Sequence, residues 1–393
     1  MNPTGPVGVE ELRQRNTGLV LTSLRHDGPA TRTELARRTG LAKATVGTIV
    51  GTLNDDSLVN EVATVTSGRG RPGRPVTLAD GPVVGLGVEI NVDYVATVTM
   101  DLSGQIRHSE TWPVDSTKTP LEVVVEVIAD RSAAIRADGG RLVGLAAAVP
   151  GLVSADSTVV RWAPNLRWTD LDLAAALRPA VGDSVQSITV DNDANCGALA
   201  EISHGAARDV DSALYLTGTI GIGAGLIHGR TLVRGASGFA GEVGHLPLGE
   251  ATALCGCGRT GCWETSIGLR AMLSAVQMSE IGTPWETALH VAERAASEPD
   301  VAAGLAQIGS SLGRGLAALS GMVDPSAIVL GGYFVPVAPW LKPAAEEAMS
   351  AHLTFADLHL PQIRLSPLGL RSAAIGAAEQ SLAGVLAGSA VVT

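Results

Sequence analysis

The chain has 393 residues, a formal net charge of −11 and 46% hydrophobic residues, ample to bury sizeable cores; this excludes a largely disordered chain and implies two or three folded units. No apolar run approaches the roughly 18 to 20 residues of a membrane span, and the N-terminal MNPTGPVGVEELRQRN lacks the basic-then-apolar layout of a signal peptide, so a cytoplasmic protein with no membrane partner is expected. Three of the four cysteines fall within eight residues, which points to metal or redox chemistry rather than a secreted disulfide framework. Charge is split unevenly. Residues 1–80 carry 10 basic and 8 acidic residues, and the remainder 18 and 31, so nucleic-acid contact is expected at the head alone.

In chain order, Leu12, Leu19, Val20 and Leu24 fall at helical spacing within 11–26. A short helix follows near 33–39, a turn at Gly40, and a second helix near 42–53 whose Val46, Ile49, Val50 and Leu53 share a face. Ala36 lets the two helices approach, Gly40 allows the turn's unusual backbone angles and Val46 packs the pair together, which is what a helix-turn-helix requires. Lys43, Thr45 and Thr48 then lie on the face that would enter the major groove of DNA. An ordinary helical hairpin is the alternative. Ala42 stands where Ser or Thr would normally cap the recognition helix, a cap worth about 1 kcal/mol.

LVNEVATV, SGRGRPGRP and VTLAD read as strand, loop and strand, a β-wing after the helices. Arg69, Arg71 and Arg74 stand among glycines and prolines, and Arg69-Gly70-Arg71-Pro72 has the sequence of an extended arginine pair that fits the narrow minor groove of A·T-rich DNA. A flexible interdomain linker is the alternative.

From residue 81 three successive strands (VVGLGVEI, DYVATVTMDLSG, IRHSETWPV), a helix over 121–137 and a strand at LVGLAAAVPG are expected. A second β-rich stretch runs from SITVDND through ALYLTG to GAGLIHG, and the chain ends in alternating helix and strand. Two α/β halves imply a bilobal body with a cleft between them, so the chain divides into a head (1–80) and a body (81–393).

Cys255, Cys257 and Cys262, spaced C-x-C-x4-C among glycines, offer three thiolates, and His245 ten residues upstream could complete a tetrahedral, structural Zn2+ site within 241–264. Buried inert thiols or a redox pair are the alternatives. Cys196 reads as a small core residue.

APNLRW (163–168), VDNDANCGALAE (190–201), GTIGIGAG (218–225), GEVGH (241–245) and CGCGRTGCWE (255–264), in this order, resemble the ROK family (repressor, open reading frame, kinase) of sugar kinases and sugar-responsive regulators. The resemblance covers nearly the whole chain. It implies an actin-like, ribonuclease-H-like bilobal body, preceded here by the winged helix-turn-helix found in the family's regulators and absent from its free-standing kinases. It implies zinc on His245, Cys255, Cys257 and Cys262. Sugar contacts map onto Asn165, Asn192, Asp193, Glu242, His245 and Glu264, each of which alone could be a solvated carboxylate or a capping residue. His245 would then face zinc with one ring nitrogen and a sugar hydroxyl with the other.

Asp193 corresponds to the general base of the kinases. Their first phosphate loop, however, reads Asp-x-Gly-Gly-Thr, where this chain has Glu89-Ile90-Asn91-Val92-Asp93. Side chains replace both glycines and a carboxylate replaces the threonine, so ATP should bind poorly and the kinase chemistry is expected to be lost. Tyr333 stands where a third glycine is common. The reading is a DNA-binding regulator, most often a repressor in this family, acting on a double-stranded operator in response to a sugar and assembling as a homodimer or dimer of dimers. The alternatives are a sugar kinase that also binds DNA, with Asp193 catalytic, and a regulator controlled by a partner protein.

Overall fold

In the computed structural model, residues 8–61, 74–119, 121–183, 185–353 and 360–389 are described. The head contains α1 (Val9–Asp27), β1 (Ala30–Thr31), α2 (Arg32–Thr39), α3 (Lys43–Asp55), β2 (Val59–Glu61) and β3 (Pro75–Leu78). Thr31 caps α2 by accepting from the Glu34 N–H at 3.2 Å, and Gly40 ends it with φ 72°, a left-handed turn that suits glycine. Val46, Ile49, Val50 and Leu53 are all buried, as the periodicity of α3 demands, and Ala42 precedes it without a side-chain cap. On α1, Val20 and Leu24 are buried together with Leu21, whereas Leu12 and Leu19 face outward. Gly18 accounts for this: a Cβ there would run into the backbone of Ala387, so α1 turns the Gly18, Leu21 and Leu24 edge inward. β2 and β3 pair antiparallel, with Val59 opposite Leu78 and Glu61 opposite Val76, and β1 adds to β3. This is the frame of a wing; Arg69 and Arg71 lie outside the described residues.

The body has two lobes. In the first, β4 (Val83–Ile90), β5 (Tyr94–Asp101) and β6 (Ile106–Pro113) form an antiparallel meander, extended by parallel β7 (Arg141–Val149) and β11 (Ser187–Asn192) into a sheet of order β11-β7-β4-β5-β6. Leu86, Val88 and Leu145 pack with Ile128 of α4 (Leu121–Ala137) and Leu177 of α5 (Leu173–Val181). Gly85, Gly87 and Gly144 leave the other face without side chains, where a Cβ would strike Ser381, Ala374 or Ala378 of α12 (Ser372–Ser381). A small sheet of β8 (Leu152–Val153), β9 (Val159–Ala163) and β10 (Trp168–Asp172) borders this lobe.

In the second lobe, β12 (Ala213–Gly218), β13 (Ile222–His228), β14 (Thr231–Leu232), β15 (Ala327–Gly332) and β16 (Gln362–Leu365) make a sheet of order β14-β13-β12-β15-β16. Its core is closed by α7 (Glu264–Ile267), α8 (Leu269–Ala275), α9 (Pro284–Ala295), α10 (Pro299–Val323) and α11 (Phe334–His352), with Trp263, Leu312, Leu316, Phe334 and Leu341 fully buried. Between the lobes α6 (Asp193–Ser203) crosses α12 where Gly376 meets the backbone of Cys196, and Cys196 is fully buried, as read from sequence. The other side of α6 rests on β13, where Gly223 and Gly225 leave room for Ala194 and Ala198.

The head is seated on this α6–α12 pair and on β5. Leu21, Leu35 and Val46 belong to one hydrophobic cluster with Val98, Met100, Ala374 and Leu382, and α13 (Ala383–Leu386) lies beside α1. Arg25 of α1 forms a buried ion pair with Glu379 of α12, its Nε donating at 3.2 Å, and His204 at the end of α6 lies 3.1 Å from the same carboxylate. Arg141 donates to the Asp56 carbonyl at the end of α3 (3.1 Å), and Arg107 holds the carbonyl of Asp80 and the carboxylate of Asp101. Among the described residues no helix is long and apolar enough to cross a membrane.

Candidate functional site

The cysteine loop brings its predicted donors together. His245 ends a 3-10 turn, Val243–His245, and the loop at 255–262 is shaped by Gly258 and Gly261, at φ 84° and 78°, with the Cys255 N–H donating to the Arg259 carbonyl at 2.8 Å. One ligand atom from each of His245, Cys255, Cys257 and Cys262 lies within 4.8 Å of the others. Cys257 and Cys262 sulfurs are 3.7 Å apart, and Cys255 Sγ is 3.8 Å from His245 Nδ1, so the ring's Nε2 points away from the cluster's nearest thiol. Trp263 anchors the loop. It is fully buried, donates to the Ser311 carbonyl at 3.3 Å and packs on Gly315 of α10.

Asp193, Glu242, His245 and Glu264 gather beside this cluster. Burial pushes the Glu242 carboxyl above its ordinary range, against the pull of His245 and Arg259 and with the help of Glu264. Burial also pushes Asp193 up to about 7, assisted by Glu242 and opposed by the Ala194 N–H, which donates to it at 2.9 Å. Glu264 accepts from the Ile222 N–H at 3.0 Å, and its other oxygen lies 3.9 Å from Cys255 Sγ.

Two predicted sugar residues are placed differently. Asn192 Oδ1 caps α6, accepting from the N–H groups of Ala194 and Asn195 at 2.9 and 3.1 Å, while Nδ2 donates to the Gly151 carbonyl at 3.2 Å. One Nδ2 hydrogen is left for a ligand. Asn165 sits exposed on the turn Pro164–Leu166, with no side-chain hydrogen bond among the described residues.

Sequence reading missed a clamp beside these residues. Asp191, immediately before Asn192, accepts from Arg234 (Nε at 3.2 Å) and from Asn195 Nδ2 (3.1 Å), tying the 233–241 loop to the start of α6. The run of three polar residues Asp191-Asn192-Asp193 at the end of a strand was the available signal.

The interlobe cleft beside Asp193 is lined by Glu89, Asn91, Asp93 and Tyr94. Glu89 is 2% exposed; its Oε1 accepts from the Tyr94 hydroxyl at 2.6 Å and from Asn91 Nδ2 at 3.2 Å, and its Oε2 has no partner among the described residues. Burial pushes this carboxyl up to about 8, with Asp193 adding to the rise. Tyr333 covers Gly218 so closely that a Cβ there would strike its ring, and its hydroxyl is buried near the Leu269 backbone.

In the head, Lys43 and Thr48 are exposed and Thr45 is half-buried, with Thr48 opposite the packed face of α3 and Lys43 at its first residue; Arg74 is exposed just before β3.

The ROK family model matches residues 85–383, and the chain belongs to the ROK family. The xylose repressor of Bacillus subtilis (strain 168) is 29% identical over 372 residues, covering 93% of this chain and 94% of that protein. Among solved structures, a ROK family transcriptional regulator homologous to the E. coli MLC protein superposes with TM-score 0.81 at 23% identity, covering 96% of this chain and 98% of its own. A ROK family glucokinase from Streptomyces griseus, in complex with glucose and AMPPNP, superposes with TM-score 0.64 at 26% identity and covers 76% of this chain and 99% of its own. The regulator thus spans nearly the whole chain, whereas the glucokinase leaves about a quarter unmatched, and the family model begins only at residue 85.

Proposed function

We propose that the protein is a sugar-responsive, DNA-binding transcriptional repressor without kinase activity, its head (1–80) binding an operator and its body (81–393) binding a sugar between the lobes. The observation that carries this reading is a helix-turn-helix with Lys43 and Thr48 exposed on α3, seated through an ion pair and a shared hydrophobic cluster on a ROK body; that Glu89-Asp93 stands in place of a phosphate loop supports the loss of kinase activity. Lys43, Thr45 and Thr48 would read the major groove and Arg69, Arg71 and Arg74 the minor groove. Asp193, Glu242, His245 and Glu264 would hold the sugar's hydroxyls, with Asn192 contributing its remaining N–H and Asn165 closing on the ligand from the first lobe. As a homodimer or dimer of dimers, the protein would place two heads on half-sites one or more helical turns apart, and sugar binding would move them out of register.

Zinc is the ion the cysteine loop fits. With Zn–S of about 2.3 Å, the edge of a tetrahedron is about 3.8 Å, close to the 3.7 Å between Cys257 and Cys262. A closed Cys3His set is structural, and it would aim the His245 ring at the sugar. Metal analysis should return one zinc per chain, and Cys257→Ser should lose it together with sugar binding; a zinc-free wild type that binds sugar normally would contradict this.

The kinase reading rests on Asp193 and on the glycine loop at 218–225. In a coupled assay with ATP and common hexoses, turnover at about 1 to 100 per second would establish it. DNA affinity measured by anisotropy on the gene's own upstream region, with and without a panel of sugars, tests the repressor reading.

A further inference from the structure

All three tyrosines of the chain converge on the interlobe cleft, and what they leave is small. Tyr94 donates to Glu89, Tyr215 shares a 3.0 Å hydrogen bond with Ser372, and Tyr333 lies over Gly218. The cavity between Glu89 and Asp193 is about 10 Å³, room for no more than one water. A phosphoryl group adds four non-hydrogen atoms and a charge of about −1.5 to −2 at neutral pH.

Groups that could neutralise such a charge are absent or already engaged. Among the described residues no lysine, arginine or histidine lines this cavity or the adjoining one, which is walled by Tyr94, Trp285, Tyr333 and Leu370. Arg234 is bound by Asp191. The start of α6, which would otherwise attract an anion, donates its Ala194 and Asn195 N–H groups to Asn192. In the second glycine loop the Ile222 N–H is taken by Glu264 and the Thr219 N–H by the Gly221 carbonyl. The chain's own carboxyls feel the same environment: burial without a cation raises Glu89 to about 8 and Asp193 to about 7, so a site that resists its own anions would resist a dianion more strongly.

We propose that the effector is an electrically neutral sugar presenting a free hydroxyl to Asp193, and that an ester phosphorylated at that hydroxyl is excluded by Glu89, Tyr94 and Tyr333. This rests on the sugar-binding reading above and narrows it: Asp193, which in the family's kinases faces the hydroxyl to be phosphorylated, serves here to recognise that hydroxyl.

The test is calorimetric titration of the full-length, zinc-loaded protein with matched pairs: glucose and glucose 6-phosphate, N-acetylglucosamine and its 6-phosphate, mannose and mannose 6-phosphate. At least one neutral sugar should bind, with its 6-phosphate at least 100-fold weaker. A phosphate ester that binds as tightly as its parent overturns the proposal while leaving the sugar-effector reading intact. Silence from both members of every pair overturns the sugar-effector reading itself. The double variant Glu89→Gln/Tyr333→Gly, which removes one carboxyl and opens the cavity, should narrow the gap between ester and parent at least tenfold; an unchanged gap in a variant that still binds the neutral sugar overturns the role given to these residues.

Discussion

Glu379 and Glu89 are both buried carboxyls in the first half of the body's architecture, one on α12 and the other on β4 beneath it, but their surroundings differ. Glu379 meets Arg25 and His204, and these partners outweigh burial to hold it at about 2. Among the described residues Glu89 meets only hydroxyl and amide donors and keeps one oxygen unpartnered, and burial pushes it up to about 8. The head–body junction thus keeps its carboxylate ionised on a matched pair, whereas the interlobe cleft holds Glu89 as the neutral acid below about pH 8. Unpaired buried carboxyls are costly, and they are found where a ligand is handled rather than where parts are fastened.

Breaking the matched pair should have the largest effect. Glu379→Ala leaves the Arg25 guanidinium buried without its partner and should destabilise the protein by about 3 to 5 kcal/mol, read from urea or guanidinium midpoints. Because the folded value of Glu379 lies below the unfolded one, its contribution is fully present above about pH 4.5 and is lost as pH falls through about 2. A loss below 1 kcal/mol would show that the junction does not depend on this pair.

The unmatched group should behave in the opposite sense. With Glu89 raised, the folded chain holds a proton that the unfolded chain releases, so stability is greatest below about pH 4.5 and declines by about 1.4 kcal/mol per pH unit until about pH 8. Glu89→Gln should flatten that decline and gain up to about 5 kcal/mol at pH 8, whereas midpoints that remain parallel to wild type from pH 5 to 8 would refute it. Asp193, raised to about 7, adds a similar decline that this variant leaves in place.

The smallest effect concerns helix starts, one capped and one bare. Asn192→Ala should cost about 1 kcal/mol by uncapping α6, and Ala42→Ser should add about 0.5 to 1 kcal/mol at α3, both measured by thermal unfolding.

The local pattern was legible in sequence where neighbours in the chain are neighbours in space. Val46, Ile49, Val50 and Leu53 announced the packed face of α3, Gly40 its turn, and His245 with Cys255, Cys257 and Cys262 their cluster, because periodicity and loop geometry act over a few residues. Arg25 and Glu379 could not be paired from sequence, since 354 positions separate them and either alone reads as a solvated charge. Tyr94, Tyr215 and Tyr333 likewise converge only once both sheets are assembled. Asn192 was read through the family motif as a sugar contact, although an Asn directly before a helix is also a capping signal, and the structure uses its oxygen for that cap. The residues Glu89-Asp93 could be read in the chain; that tyrosines line the cleft beside them could not.

The most direct test of the account is the affinity of the full-length protein for its own upstream DNA, measured by anisotropy with and without the neutral sugar that calorimetry identifies. Operator binding that Lys43→Ala weakens is expected, with an affinity changed at least tenfold by the sugar and no phosphorylated sugar when ATP is added. An affinity that no sugar alters, or hexose phosphorylation at ordinary kinase rates, would contradict it.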